Sequence, residues 1–117
     1  MSQNVIQEKS YSFALRIVRL YKHLCEQQQE FVLSRYLLAA GTAIGARVKA
    51  AQEAESKTVF VQEMSVALQK ASETEYWLQL LHDGGLLDEK AFDSINTDCV
   101  EVKKLLVAIV KSARKGQ

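Results

Sequence analysis

No proline occurs anywhere in the 117 residues. Proline is the strongest helix-stopping residue, because its ring removes a backbone donor and clashes with the preceding turn. Glycine, the other punctuating residue, appears only five times, and only Gly84 and Gly85 stand together. A chain with so few turn residues cannot make the frequent tight reversals of a sandwich or barrel. It can make long helices joined by a few corners, and the expectation is an all-α fold.

Apolar spacing places the helices. Phe13, Ile17, Leu20 and Leu24 recur at intervals of four, three and four, one face of a helix over about 10–25, with Ser10 as a candidate N-cap. Ala14, Val18 and Tyr21 widen that stripe. A second helix, about 30–54, turns Leu33, Leu37, Ala40, Ile44 and Val48 inward. The polar run Glu26–Glu30 links the two as a loose corner. A third, about 57–82, carries Phe60, Met64, Ala67, Leu68, Ala71, Leu78 and Leu81. Ser56 or Thr58 can cap it, and Gly84 or Gly85 can end it in the left-handed conformation. A fourth, about 88–114, begins at Asp88 and buries Phe92, Ile95, Cys99, Val102, Leu106, Ile109 and Ala113. Four amphipathic helices with short links predict one domain over 1–117, an antiparallel up-down-up-down bundle.

The stretch AAGTAIGARVKAA, residues 39–51, is dominated by alanine and glycine in mid-helix. Each interior glycine costs about 1 kcal/mol relative to alanine, so removal of side-chain bulk must be useful. Ala40 and Ala43 lie on one line of the helix, Gly41 and Gly45 on a neighbouring one. Either this helix is crossed tightly once inside its own bundle, or a second smooth line meets another subunit. Trp77, offset from the Leu78–Leu81 line, is open to the same pair of readings. It covers its own core or, with Tyr76, it sits in a subunit interface, where tryptophan is enriched.

The signals for chemistry are weak. His23 and His82 are isolated, and no Glu-x-x-His pair of the di-iron bundle type occurs. His23 and Cys25, two apart on a helix, point in different directions. Glu63, Glu73 and Glu75 read as solvated or salt-bridged carboxylates. No metal, cofactor or catalytic residue is expected. Cys25 and Cys99 read as reduced thiols rather than a disulfide. The polar N-terminus is no secretory signal, and no apolar run approaches membrane-spanning length. Together these predict a cytoplasmic location.

Charge is uneven. Residues 1–49 carry seven basic and three acidic side chains, residues 50–101 three and eleven, and five basic residues without an acid follow Glu101. Basic helices packed against acidic ones explain this, and so does a surface for a charged partner. For a nucleic-acid partner the candidates are Arg16 and Arg19 on helix one, Arg47 and Lys49 on helix two, and Lys103, Lys104, Lys111 and Arg114 on helix four.

The segments GTAIGARVKAAQEAESKTVF, 41–60, and ALQKASETEYWLQLL, 67–81, resemble the bacterial four-helix-bundle family described as 23S rRNA intervening-sequence proteins. ETEYWL, 73–78, and GTAIGA, 41–46, are its most specific parts, and the resemblance runs from SYSFALRIVRLYKHL to the last helix. It implies a four-helix bundle, frequently a ring-like homopentamer, with no enzymatic activity and a proposed association with nucleic acid. A related accessory protein of diversity-generating retroelements is a basic pentameric bundle that binds nucleic acid and a reverse transcriptase. The chain departs from the family pattern along one row of helix two. Relatives carry Gln, Arg, Ser, Asn and Glu there, and this chain carries Tyr36, Ala39, Ala43, Arg47 and Ala50. Arg47 is expected to reach Glu73 or Glu75. Tyr36, Ala43, Gly45, Tyr76 and Trp77 become the candidate interface residues of a homo-oligomer, with a pentamer the first expectation. The resulting functional expectation is a non-catalytic scaffold associating with structured RNA or a nucleoprotein complex. The alternative is a protein-binding accessory module for an enzyme such as a reverse transcriptase.

Overall fold

The structure, a computed structural model, describes residues 2–116. Its four helices are α1 (Ser2–Gln27), α2 (Leu33–Gln52), α3 (Lys57–Asp83) and α4 (Glu89–Lys115), and no strand occurs among the described residues. Helices of 27 residues are about 40 Å long at 1.5 Å rise per residue, which accounts for the 46 × 21 × 19 Å shape. Each helix packs on its neighbours in sequence, and α4 closes back on α1. The diagonal pairs α1–α3 and α2–α4 stand further apart and meet only through the shared core. This is the up-down-up-down bundle that short links dictate. The α1–α4 seam is its thinnest side.

One core runs the length of the bundle. Phe13, Ile17, Leu24, Leu37, Ile44, Met64, Leu78, Leu81 and Leu106 are all buried within it. The expected stripes supply most of it. Leu20, Leu33, Phe60, Leu68 and Ile109 are only partly buried at its margin, and Val18 is exposed. Among the described residues, the buried polar side chains of Ser10, Ser34 and Thr74 each satisfy themselves within their own turn of chain. The hydroxyls of Ser10, Ser34 and Thr74 donate to the carbonyls of Gln7, Glu30 and Lys70 at 3.2, 2.8 and 2.7 Å.

Two helix starts differ from expectation. α1 does not begin at Ser10 but runs back to Ser2. Ile6 is fully buried seven residues before Phe13, so the apolar stripe continues two turns further. Ser10 is consequently a buried interior residue rather than a cap. α2 begins at Leu33 rather than Glu30, because Gln29 takes the left-handed conformation (φ 53°) and breaks the chain direction. Glu30 then serves as the cap. Its carboxylate accepts the backbone N–H groups of Val32, Leu33 and Ser34 at 3.1, 2.9 and 2.7 Å, three donors a helix start otherwise leaves open. Burial opposes ionisation of Glu30, but the donors of Leu33, Ser34 and Val32 outweigh it and hold the carboxyl below its ordinary value. The other ends follow expectation. Ser56 and Asp88 cap α3 and α4 through the N–H groups of Val59 and Ala91. Gly85, at φ 81°, makes the reversal between them.

The glycines of α2 divide. A Cβ on Gly41 would lie 2.7 Å from Cγ1 and 2.8 Å from Cγ2 of Ile17, so α1 approaches closely here only because the side chain is absent. At Gly45 a Cβ would meet the backbone and hydroxyl of Ser10 at 3.5–3.7 Å, an ordinary contact. Both glycines face α1 of the same chain. The helix crossing inside the bundle accounts for them, and Gly45 is turned toward α1 rather than along the outer α2–α3 face.

Candidate functional site

Two surfaces carry what the expected site residues can do. The first lies on the outer side of α2 and α3. Tyr36 stacks on Trp77 with ring centroids 5.2 Å apart and planes 17° from parallel, and Tyr76 meets the edge of Trp77 at 5.1 Å. Trp77 is half-buried, while Tyr36 and Tyr76 remain 55% and 60% exposed. The indole therefore covers its own core and also forms the centre of an aromatic group open to solvent. Along α2 the row continues through Val32, Tyr36, Ala39, Ala43, Ala46 and Ala50, at alternating intervals of four and three, a single smooth stripe. Phe31 and Val32 at the start of α2, and Leu80 near the end of α3, add exposed apolar area at the aromatic end. Phe31, Val32 and Leu80 were not singled out in the sequence. They fall outside the core periodicity, and nothing local marks an exposed apolar residue as clustered.

The second surface is cationic, and here the structure separates the eight candidates. Arg16 is engaged with α4, donating to Asp98 at 2.6 Å, to the Ser94 hydroxyl at 2.9 Å and to the Ser94 carbonyl at 3.2 Å. Arg47 meets Glu63 at 3.2 Å rather than Glu73 or Glu75. Glu75 is taken by Lys103 at 2.8 Å, and Glu73 pairs with Lys70 at 3.4 Å. Lys49 reaches Glu53 only at 4.0 Å, with both side chains well exposed, a pair worth little. Arg114 donates to the Ser65 hydroxyl. Among the described residues, Arg19, Lys104, Lys111 and Arg114 have no carboxylate partner, and neither do Lys90 and Lys115. Lys90, Lys104, Lys111 and Lys115 share the outward line of α4, at intervals of fourteen, seven and four. The uneven charge of the sequence thus resolves into both of its readings. Bridges from α2 and α4 to α3, and from α1 to α4, absorb part of it, and α4 displays much of the rest.

Other titratable groups are structural. Both ring nitrogens of His82 face carboxylate oxygens, Nδ1 that of Asp83 at 3.0 Å and Nε2 that of Glu89 at 2.8 Å, with Phe92 stacked on the ring. Two acceptors require two N–H donors, so this geometry favours the imidazolium. The bonds to Glu89 and Asp83 raise its pKa above the ordinary value against a smaller opposing effect of burial. The thiol of Cys99 donates to the Ala71 carbonyl, and burial pushes its pKa up to about 12. Both cysteines are free. Among the described residues, no group of three or more His, Cys, Asp or Glu is gathered closely enough to hold a metal ion. No helix among the described residues is long and apolar enough to cross a membrane.

Comparison with known proteins places this geometry. Residues 2–108 match the 23S rRNA-intervening sequence protein family. The chain belongs to that family. Among solved structures it is similar to a protein with unknown function from the S23 ribosomal protein family of Bacteroides thetaiotaomicron VPI-5482. The two share 45% identity over 95% of this chain and 99% of that one, with a TM-score of 0.94. No curated protein matches the chain. Lys111, Arg114 and Lys115 lie beyond the residues matched to the family.

Proposed function

We propose that this member of the family is a non-catalytic homo-oligomeric scaffold that associates with structured RNA or a nucleoprotein complex. The observation that carries the reading is the α4 line of Lys90, Lys104, Lys111 and Lys115, exposed and without carboxylate partners among the described residues. Lys104 and Lys111 stand about 10 Å apart along the helix, and Lys111 and Lys115 about 6 Å. Cations displayed this way bind phosphate by releasing counterions, without reading sequence. Assembly makes the effect useful. The Tyr36–Trp77–Tyr76 group and the alanine stripe of α2 have the composition of an interface core, aromatic and poor in charge. A ring, with five subunits as the expectation from the family resemblance, repeats each α4 stripe around its circumference.

The test is fluorescence anisotropy of a labelled RNA hairpin at about 50 and about 200 mM salt, a range over which phosphate contacts lose orders of magnitude in affinity. The expected result is binding that collapses at the higher salt and is lost in Lys104→Glu/Lys111→Glu. Arg47→Glu, which breaks a bridge to Glu63 rather than a free cation, has the smaller effect. No binding at about 50 mM would end the RNA reading. A monomeric native mass, unchanged by Trp77→Ala, would end the scaffold reading separately.

A further inference from the structure

The α1–α4 seam opens into a groove of about 540 Å³ beside the first turns of α4, a size within the range of ligand pockets. Its floor is aliphatic, formed by Leu20, Leu87, Ala91 and Ile95, and its banks carry Arg19 on α1 and Lys90 on α4. Arg16 bridges the two helices at one end through Ser94 and Asp98. Asp88 also lines the groove, where it accepts the Ala91 N–H as the cap of α4, and Asp98 is held by Arg16. Arg19 and Lys90 are exposed and have no carboxylate partner among the described residues, so with Arg16 the lining carries three cations against the one carboxylate of Asp88.

We infer that this groove docks a short acidic segment of a partner protein, with aliphatic side chains on the Leu20–Leu87–Ile95 floor and carboxylates on Arg19 and Lys90. Charge complementarity selects an acidic occupant, and the floor selects a peptide over a nucleic acid. Bases bind sequence-tolerantly by stacking on aromatic platforms, and this floor has none. Apolar side chains in a groove with a charged rim are the ordinary form of peptide recognition. The site lies on the α1–α4 side, remote from the α2–α3 aromatic face; it shares Lys90 with the α4 line of the RNA reading, and the RNA arm of the test separates the two.

The probe is a fluorescein-labelled octapeptide of alternating glutamate and leucine, titrated by anisotropy against the full chain. A lysine–leucine counterpart serves as control. Saturable binding is expected, at least about tenfold tighter than the counterpart (1.4 kcal/mol). Arg19→Glu/Lys90→Glu reduces it about tenfold or more at 50 mM salt and less at 200 mM. Ala91→Trp fills the groove from an exposed position and abolishes binding at both salts, with the circular dichroism spectrum unchanged. Absence of saturation below about 1 mM overturns the inference, as does equal binding of the lysine–leucine peptide. An RNA hairpin that loses affinity in Ala91→Trp, while the acidic peptide does not bind, would assign the groove to nucleic acid and equally overturn it.

Discussion

Gly41 and Gly45 occupy the same helix one turn apart, and alanine at the two positions is predicted to act with opposite sign. In an open helix interior, Gly→Ala stabilises by about 1 kcal/mol through backbone entropy. At Gly45 the new Cβ meets Ser10 at 3.5–3.7 Å, so the gain is retained. At Gly41 it meets Cγ1 and Cγ2 of Ile17 at 2.7 and 2.8 Å, roughly 1 Å inside the optimal carbon separation of about 3.5–4.0 Å. Ile17 is fully buried and branched at Cβ, so χ1 rotation gives no relief and α1 itself must move. Overpacking of this kind costs about 1–3 kcal/mol; offset by the propensity gain, Gly41→Ala is expected to lose up to about 2 kcal/mol. The two variants then differ by about 1–3 kcal/mol, or about 4–12 °C in Tm for a chain of this size. Urea and thermal melts at fixed protein concentration measure both. A double-mutant cycle supplies the mechanism. Ile17→Ala removes the clashing atoms, so its usual cost of about 2–5 kcal/mol should shrink by at least about 1 kcal/mol in the Gly41→Ala background. Equal stabilisation by both alanines, or a cycle with no coupling, would refute the claim that Gly41 exists for Ile17.

Removal of the Glu30 cap by Glu30→Ala should cost about 1–2 kcal/mol, since three helix N–H groups lose their acceptor, and urea melts of the two proteins decide it. Because the folded Glu30 pKa lies below its unfolded value, its contribution is complete above the unfolded pKa and disappears as pH falls through the folded one. Wild type, but not Glu30→Ala, should therefore show that component of acid destabilisation. His82 has the opposite sign: its pKa is raised by Glu89 and Asp83, so its contribution is complete below the unfolded pKa and is lost as pH rises through the folded one. An NMR titration should place the His82 imidazole above the ordinary histidine value and move it back down in Glu89→Gln. Of the two thiols, half-buried Cys25 should react with a thiol reagent in the native state, and Cys99 only on unfolding.

The sequence by itself determined the helix count, the core faces and two of the three corners, because these depend on local quantities. Apolar spacing selects the buried face of a helix. Ser56, Asp88 and Gly85 act within a turn of where they stand. Where local signals failed, burial or a backbone break just upstream had overruled them. Ser10 looks like a cap, but burial of Ile6 carries the helix past it. Glu30 looks like a helical residue, but the break at Gln29 turns its carboxylate onto three N–H groups. The family, too, was legible in GTAIGA and ETEYWL.

Which charges are free was not. Arg47 went to Glu63 and Lys103 to Glu75, while Lys104, one residue further on, points outward. Salt-bridge partners on neighbouring helices are set by the vertical register of one helix against the next, and a periodicity read along one helix carries no information about that register. The same holds for the stacking of Tyr36 on Trp77 and for the groove between Arg19 and Lys90, residues 71 apart in sequence. Only the packed bundle, with its thin α1–α4 seam, brings them to opposite banks of one site.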